Sequence, residues 1–513
     1  MVVLVLMAAA FLALLDTQIV AIALPRIVSD LGGLDRFAWI TTGYLIGGSA
    51  ALPVFGKLGD LFGRKRVFMA SVTVFLVGSV LCGLAQTMGQ LIALRVIQGI
   101  GSGGLFICVI ALIGEMFTPR EGARYYGWFS ITFGAASLVG PTLGGFLTDL
   151  ANWRWVFFVN LPLGLVVLAV VSLLLHLPTH TRAHKAHIDY AGVLLLVAAI
   201  VALNLLTGWA GVKYAWTSPV ILTLTGGCVV AVALFIVAQR RAADPIIPLR
   251  LFANQTFTIV VILSFIAGLI GLGTLNYLVL WLQTVLGLDV EQAGYALTAL
   301  MIAVVVTSWL STKIIGHSGS YRWFPVLSMA VFALAGALLS TAGPDTSVPL
   351  TLVYVLLFGI GAGLNMQALT LAARNTARMQ DIGAVQGTTN LMRQLGTGLG
   401  VSLFAALMTS RLGTGLNERL RGKTGASLSK DGSLSPEVLG RLSSSVRAEI
   451  ADIYANSLRA TFYAVIPIAA IGLVAALFLK DVKLADGHGH GSADSQEPGD
   501  DTATSPSAPR GES

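Results

Sequence analysis

Charge is what this sequence has least of. Asp, Glu, Lys and Arg make up 11% of its 513 residues, against about 25% in an ordinary soluble domain, while 55% are hydrophobic and mean hydropathy is +0.81. One water-facing core cannot hide that much apolar surface, so a soluble globular fold is excluded and the bilayer becomes the solvent. Cysteine is scarce too. Cys82, Cys108 and Cys228 are the only three and all fall in apolar runs, which excludes a disulfide framework and leaves small packing residues. There is no phosphate loop, no CxxC, no HExxH and no nucleophile elbow in a fitting context. ATP-driven transport and the common hydrolytic chemistries drop out with them. His176, His180, His184 and His187 are spaced by four, four and three, but they sit in a polar linker and read as solvated rather than metal-binding. The net charge of +7 would suggest nucleic acid on a soluble protein. Here the basic residues lie in short loops between apolar runs, and no nucleic-acid partner is implied.

Those runs dominate the chain. A helix needs about 20 apolar residues to cross ~30 Å of hydrocarbon. Runs of that length lie near 2–24, 38–56, 67–86, 90–114, 125–148, 155–175, 189–209, 218–238, 256–284, 291–313, 323–343, 349–371, 384–408 and 459–480, fourteen in all. The first is no signal peptide: it has no basic leader, carries Asp16 well inside it and lacks a cleavage site. The missing leader points to a start further upstream. Alternate loops hold Lys57, Arg64, Lys65 and Arg66; Arg120 and Arg124; Arg182 and Lys185; Arg240, Arg241 and Arg250; Lys313 and Arg322; Arg374 and Arg378. The opposite set holds Arg26, Arg36, Arg154 and Lys213. By the positive-inside rule both termini are expected to be cytoplasmic, and the membrane expected is the plasma membrane.

The organisation predicted is six plus two plus six: a six-helix unit over 1–175, a linker and two inserted helices over 176–255, and a second six-helix unit over 256–480. An external polar loop covers 409–458, and the tail 481–513 reads as disordered from its Gly, Ser, Asp and Pro content. Within the external loop, Ser435-Pro436-Glu437 starts a short amphipathic helix with Leu439, Leu442, Val446, Ile450 and Ile453 on one face. It is expected to lie on the outer surface.

Four stretches carry chemistry. GKLGDLFGRKR (56–66) spaces Gly56, Gly59 and Gly63 for a tight turn and close helix approach; Asp60 can pair with Arg64 or a neighbouring helix terminus, and Lys65 and Arg66 anchor the membrane face. In RVIQGIGSGG (95–104), Arg95, Gln98 and Gly99 share a helix face. An arginine inside a span is costly unless it meets a partner or water; the alternative is that Arg95 snorkels to the membrane surface. GWFSITFGAASLVGPTLGG (127–145) repeats small residues at Ala136, Gly140 and Gly144, a stripe for close packing, with Pro141 and Gly145 beside it. GTTNLMRQLGTGLGV (387–401), with Gln386 just before it, aligns Gln386, Asn390, Arg393 and Thr397 on one face, lining either a cavity or a hydrogen-bonded seam. Asn276, Gln283 and Asn365 extend the candidate lining. Asp16, the one acid inside the first span, lies about 21 Å along the helix from Val2. Burial favours the protonated carboxyl and a nearby cation the ionised form, so Asp16 beside Arg95 is either a proton carrier or a fixed ion pair.

These stretches, with LLDTQIVAIALP (14–25), WRWVFFVNLPLG (153–164), IDYAGVLLL (188–196) and LWLQTVLGLDVEQAGYAL (280–297), resemble the fourteen-span drug/proton antiporter family of the major facilitator superfamily. The resemblance covers nearly the whole chain before the tail. It implies an all-α fold of two pseudo-symmetric six-helix bundles, with Gly56, Gly59, Asp60, Gly63, Arg64 and Lys65 as the cytoplasmic gating loop. It also implies an antiporter helix at Gly140, Pro141, Gly144 and Gly145, and proton coupling at Asp16 and Arg95. Ala136 departs from the family pattern, which has glycine there. The substrate cavity would then be lined by Gln98, Asn276, Gln283, Asn365, Gln386, Asn390 and Arg393. The function implied is export of small amphiphilic or cationic compounds by a monomer in membrane lipid, with the proton as coupling ion and no other cofactor, no metal and no enzymatic step. Export of one endogenous metabolite is the alternative, then proton symport; a sensor or enzyme would need an output domain or catalytic cluster.

Overall fold

In hydrocarbon every backbone N–H and C=O must find its partner inside the segment, which makes the long apolar runs helices. In the computed structural model, residues 2–32, 36, 38–150, 152–175, 188–210, 214–343, 346–419 and 444–484 are described, and among them there is no strand, only a single bridge between Ala210 and Tyr214. Fourteen helices are long and apolar enough to cross a membrane: α1 (Val2–Leu31), α2 (Ala38–Phe62), α3 (Arg64–Gly83), α4 (Met88–Met116), α5 (Pro119–Leu150), α6 (Trp155–Leu174), α7 (Tyr190–Trp209), α8 (Pro219–Arg241), α9 (Gln255–Thr284), α10 (Val290–Ser318), α11 (Trp323–Thr341), α12 (Val348–Asn375), α13 (Ile382–Arg419) and α14 (Ser444–Leu477). Their starts are set by side chains that accept free backbone N–H groups: Thr87, Asp189, Ser218, Asn254 and Asp289 each cap the helix that follows. Gly63, at φ 90°, is the one residue between α2 and α3. That left-handed conformation suits glycine and lets two spans meet in so tight a turn.

Several helices outrun their apolar stretches. α1 continues through Pro25 to Leu31, and α13 continues to Arg419. The amphipathic segment expected to lie on the outer surface is different again. Its predicted start at Ser435, with Leu439 and Leu442, lies outside the described residues. Val446, Ile450 and Ile453 belong to α14 itself, one unbroken helix from Ser444. Nothing between Ser444 and Ile466 is glycine or proline, so helix propagation carries on out of the span instead of stopping at its edge. The tail beyond Leu484 and the linker histidines from His176 to His187 also lie outside the described residues.

The packing repeats itself. In the first bundle α1 packs on α5, α2 and α3 on α4, and α3 and α1 on α6; in the second α9 packs on α13, α10 and α11 on α12, and α11 and α9 on α14. The repeat reaches single residues. A Cβ on Gly99, Gly101 or Gly103 of α4 would overlap Tyr44, Phe75 or Gly48; one on Gly359, Gly361 or Gly363 of α12 would crowd Leu300, Phe332 or Val304, in the helices equivalent by the pairing above. A glycine triplet at every second position thus brings two neighbours onto one helix in both halves. The bundles meet along two seams related by the same symmetry, α2 against α13 and α5 against α10. The inserted pair breaks that symmetry. α7 and α8 pack on each other, and α7 rests on both α2 and α13. There Ala50, Leu196, Ile200, Phe235 and Leu391 form a buried apolar cluster, Trp39 meets Trp209 edge-on at 5.8 Å, and Ser402 donates to the Thr207 carbonyl at 2.5 Å.

Gly103→Ala and Gly363→Ala are expected to destabilise equally, each by about 1–3 kcal/mol of overpacking. Gly226→Ala in α8, where a Cβ meets open space, should stay within about 0.5 kcal/mol. Size-exclusion profiles of the detergent-solubilised protein after graded heating compare the three.

Candidate functional site

The first bundle closes around a carboxylate. Asp16 on α1 has no solvent exposure. Its Oδ2 accepts from Arg95 Nη1 at 2.6 Å, and its Oδ1 accepts from Gln98 Nε2 and from Asn160 Nδ2, both at 2.8 Å. Arg95 also donates to Gln98 Oε1 at 2.8 Å and to the Ile40 carbonyl at 3.4 Å, and its guanidinium lies over the Tyr44 ring, 4.1 Å from the centroid. Ser79 Oγ accepts from Gln98 and Asn160 and donates to the Phe157 carbonyl. Tyr44 donates to Ser102 Oγ at 2.6 Å. Helices α1, α2, α3, α4 and α6 therefore each place a polar group in one cluster. Arg95 is 1% exposed, so it does not snorkel; it sits inside the bundle on its carboxylate. Gln98, expected on the cavity wall, belongs to this cluster and has no exposure. The sequence reading missed Ser79, Tyr44 and Asn160. The available signal was a lone polar side chain inside an apolar run, as in the VNLPLG stretch that holds Asn160.

The small-residue stripe of α5 leans on α1 just past Asp16. A Cβ on Gly140 would overlap the Gln18 side chain, and one on Gly144 would press on the Ile19 backbone, while Gly145 faces open space. Gln18 Nε2 donates to Ser137 Oγ at 3.3 Å, and Ala136 is buried. Pro141 lies within the unbroken α5. One helix thus touches the turn beside Asp16 and also forms the α5–α10 seam.

The membrane face carrying residues 56–66, here the basic face, is where the two bundles are tied together. Asp60 at the end of α2 accepts from Arg64 Nη2 at 2.9 Å and from the backbone N–H groups of Gly383 and Ala384 at 3.1 and 3.0 Å. It caps the first turn of α13, where the helix dipole favours negative charge. Gly56 and Gly383 meet backbone to backbone, so neither tolerates a side chain. Arg64 reaches on to the Ala111 carbonyl at 2.8 Å and to Glu115 at 3.4 Å, and Gly59 lets the Arg64 side chain pass at 3.5 Å from a would-be Cβ. Lys65 donates to the Ser172 carbonyl. On the other seam, Arg374 of α12 donates to the carbonyls of Gly114, Phe117 and Thr118, and Arg120 of α5 donates to those of Gly316 and His317 at 2.9 Å. Contacts continue inward to Ser49 with Gln394, and to Ser130 with Ser308 and Gln367. The basic face is closed.

Among the described residues the second bundle has no copy of the ion pair. The glycine triplets set Val355 and Phe358 where the first bundle has Arg95 and Gln98. Its polar groups lie elsewhere. Gln386 Nε2 donates to the Thr370 carbonyl at 3.0 Å, Asn390 Nδ2 to the Gln386 carbonyl at 2.9 Å, and Arg393 to Asn390 Oδ1. Gln386 and Asn390 are buried in the packing beside α12, so in this arrangement the lower half of the stripe is a seam and not a cavity wall. Asn365 is 2% exposed and neither amide atom has a partner. Arg393 has no carboxylate partner among the described residues. On α9, Gln283 is half-buried and Asn276 exposed.

The family model described as Major Facilitator Superfamily matches residues 6–401. An uncharacterized MFS-type transporter of Mycobacterium tuberculosis is 38% identical over 470 residues, 92% of this chain and 68% of its own. The multidrug transporter protein MdtP of Bacillus subtilis is 30% identical over 502 residues, covering 93% and 92%. Among solved structures, the human organic anion transporter MFSD10 has a TM-score of 0.64 at 13% identity, covering 93% of this chain and 98% of that one. At that identity the likeness speaks for the fold alone.

Asp60 supplies charge-assisted bonds to the partner bundle, each worth about 1.5–3 kcal/mol. Asp60→Ala should therefore open the basic face in a substantial fraction of molecules. Spin labels at the exposed positions Arg66 and Arg378, with Cys228 replaced by serine, should report a longer or second distance in Asp60→Ala; an unchanged distribution would rule out this role for Asp60.

Proposed function

The chain belongs to the Major Facilitator Superfamily and is a membrane transporter, not an enzyme; from that premise we propose that it exports small amphiphilic compounds by proton antiport. The observation that carries the reading is the Asp16–Arg95 pair, sealed inside one bundle yet one turn from the residues against which α5 packs.

The coupling follows from what a proton does to that cluster. Ionised Asp16 accepts from Arg95, Gln98 and Asn160 at once. A proton on Asp16 cancels the charge that holds Arg95 and turns one acceptor oxygen into a donor. The guanidinium is left with Gln98 Oε1, the Ile40 carbonyl and the Tyr44 ring. Breaking such a buried pair costs about 3–5 kcal/mol, enough to shift α1. Gln18 and Ile19 move with α1, and α5 bears on both. The strain is passed to the α5–α10 seam, and the basic face opens or closes. We take that face as cytoplasmic and the membrane as the plasma membrane, with both termini inside. The arrangement described is then the one closed to the cytoplasm. The gradient supplies about 2.3 kcal/mol per charge per 100 mV and about 1.4 kcal/mol per pH unit.

In this reading the second bundle meets the substrate through Asn365 and Arg393, with Asn276 and Gln283 further along α9. Asp16 is already satisfied by its own neighbours, and Arg393 has no carboxylate partner among the described residues. That balance favours compounds with an acceptor or anionic group over simple lipophilic cations. Export of a single endogenous metabolite remains the second reading of the same machinery; a panel of toxic compounds against a deletion strain separates the two.

The test uses everted vesicles with an acid interior, given a panel of cationic, neutral and anionic amphiphiles. Substrate should release protons in wild type and not in Asp16→Asn, while the variant still exchanges labelled substrate across the membrane. Full uphill export by Asp16→Asn sinks the coupling. Loss of exchange as well as export would mean that Asp16 holds the fold and not the proton.

A further inference from the structure

The two seams between the bundles are equivalent by symmetry, but only one is covered. Along α2–α13 the inserted helix α7 lies in the groove. Along α5–α10 the groove is a cavity of about 990 Å³ at the basic face. We propose that this cavity is a binding site for one anionic phospholipid, which takes the place on this seam that α7 takes on the other.

The lining has the polarity of such a molecule. At the basic face Arg120, Arg124, Lys313 and His317 border the cavity, with Glu121 as the one acid. Glu121 is engaged: its Oε2 accepts from the Thr118 N–H at the start of its own helix. Arg120 is turned to the Gly316 and His317 carbonyls, tying the seam. Arg124 is exposed and makes no hydrogen bond or ion pair among the described residues, and the exposed Lys313 ammonium sits 5.2 Å over the Trp309 ring. Two fixed cations, one from each bundle, therefore face the groove without a carboxylate. Deeper in the membrane the same two helix faces become apolar. Arg124, Trp128 and Ile131 follow one another at helical spacing on α5; Lys313, Trp309, Val306 and Ile302 do so on α10. Those five apolar side chains are 38–53% exposed. A phosphate held between Arg124 and Lys313 would run its acyl chains between Trp128 and Trp309, with the tryptophans at the depth where indoles prefer to lie. Inorganic phosphate would leave the apolar half of the groove empty. A zwitterionic lipid would bring an ammonium to a site with three arginine or lysine side chains and one acid.

Because the lipid touches both bundles, it binds best while they are together at this face. A ligand shifts an equilibrium by its difference in affinity for the two states, so an anionic lipid favours the arrangement closed at the basic face. That consequence holds whichever coupling ion drives transport.

The full-length protein, wild type and the double variant Arg124→Gln/Lys313→Gln, is delipidated and titrated with phosphatidylglycerol, phosphatidylcholine or inorganic phosphate, with bound lipid counted by native mass spectrometry. Wild type should retain one phosphatidylglycerol in preference to phosphatidylcholine, and the variant should lose that preference by about tenfold or more. In nanodiscs, phosphatidylglycerol should shorten the Arg66–Arg378 label distance in wild type and not in the variant. Equal retention by both proteins overturns the site, equal retention of both lipids overturns the anionic choice, and displacement by inorganic phosphate overturns the lipid. Because both substituted side chains are exposed, matched elution and melting of variant and wild type exclude misfolding; if the double variant is unstable, Arg124→Gln alone, expected to lose preference by several-fold, decides.

Discussion

An ionised carboxylate has no business in the middle of a bilayer unless something compensates it, and Asp16 is compensated from two other helices. Arg95 supplies the opposite charge, while Gln98 and Asn160 supply the remaining donors. The cost of exposing either charge to hydrocarbon is high, so α1, α4 and α6 are held in register by a bond none of them can abandon singly. Ser79 and Tyr44 extend the same network to α3 and α2. The proposed coupling acts on this network through the charge on Asp16.

The second bundle repeats the packing without the charge. The glycine triplets at Gly99, Gly101, Gly103 and Gly359, Gly361, Gly363 draw equivalent helices together, yet Val355 stands where Arg95 would be. A duplicated scaffold has been given two contents: a closed ionic cluster on one side, and on the other a row of amides with a cation that has no carboxylate among the described residues. The basic face joins them through backbone groups. Asp60 reads the first N–H groups of α13, while Arg374 and Arg120 read carbonyls at helix ends. Such contacts depend on where helices end and can form and break without repacking a core.

Much of this was legible in the residues. Fourteen spans follow from apolar length alone, and the pairing of Asp16 with Arg95 and of Asp60 with Arg64 from charges that cannot stand unpaired in or near a membrane. What the pattern could not give depends on tertiary facing. Asn160 and Ser79 are single polar groups in apolar runs, and nothing local tells which way they point. Gln98 looked like lining and is instead part of the ionic cluster. Gln386 and Asn390 share a face that fits both a cavity and a seam, and the seam contains them. Arg374 read as one more topology-setting charge and proves to cross between bundles. The surface helix expected before the last span was misread because amphipathic spacing locates a face, while only a glycine or proline would have stopped the helix.

The inserted helix α7 leans on α2 and α13 together, with Trp209 on one and Thr207 on the other. Two bodies strapped along one edge cannot part evenly. When they separate, the strapped edge acts as a spine and the far edge swings widest, as the boards of a book do. In the transport cycle proposed above, the mouth between α5 and α10 would then be the side by which an oily molecule slips from the leaflet into the interior.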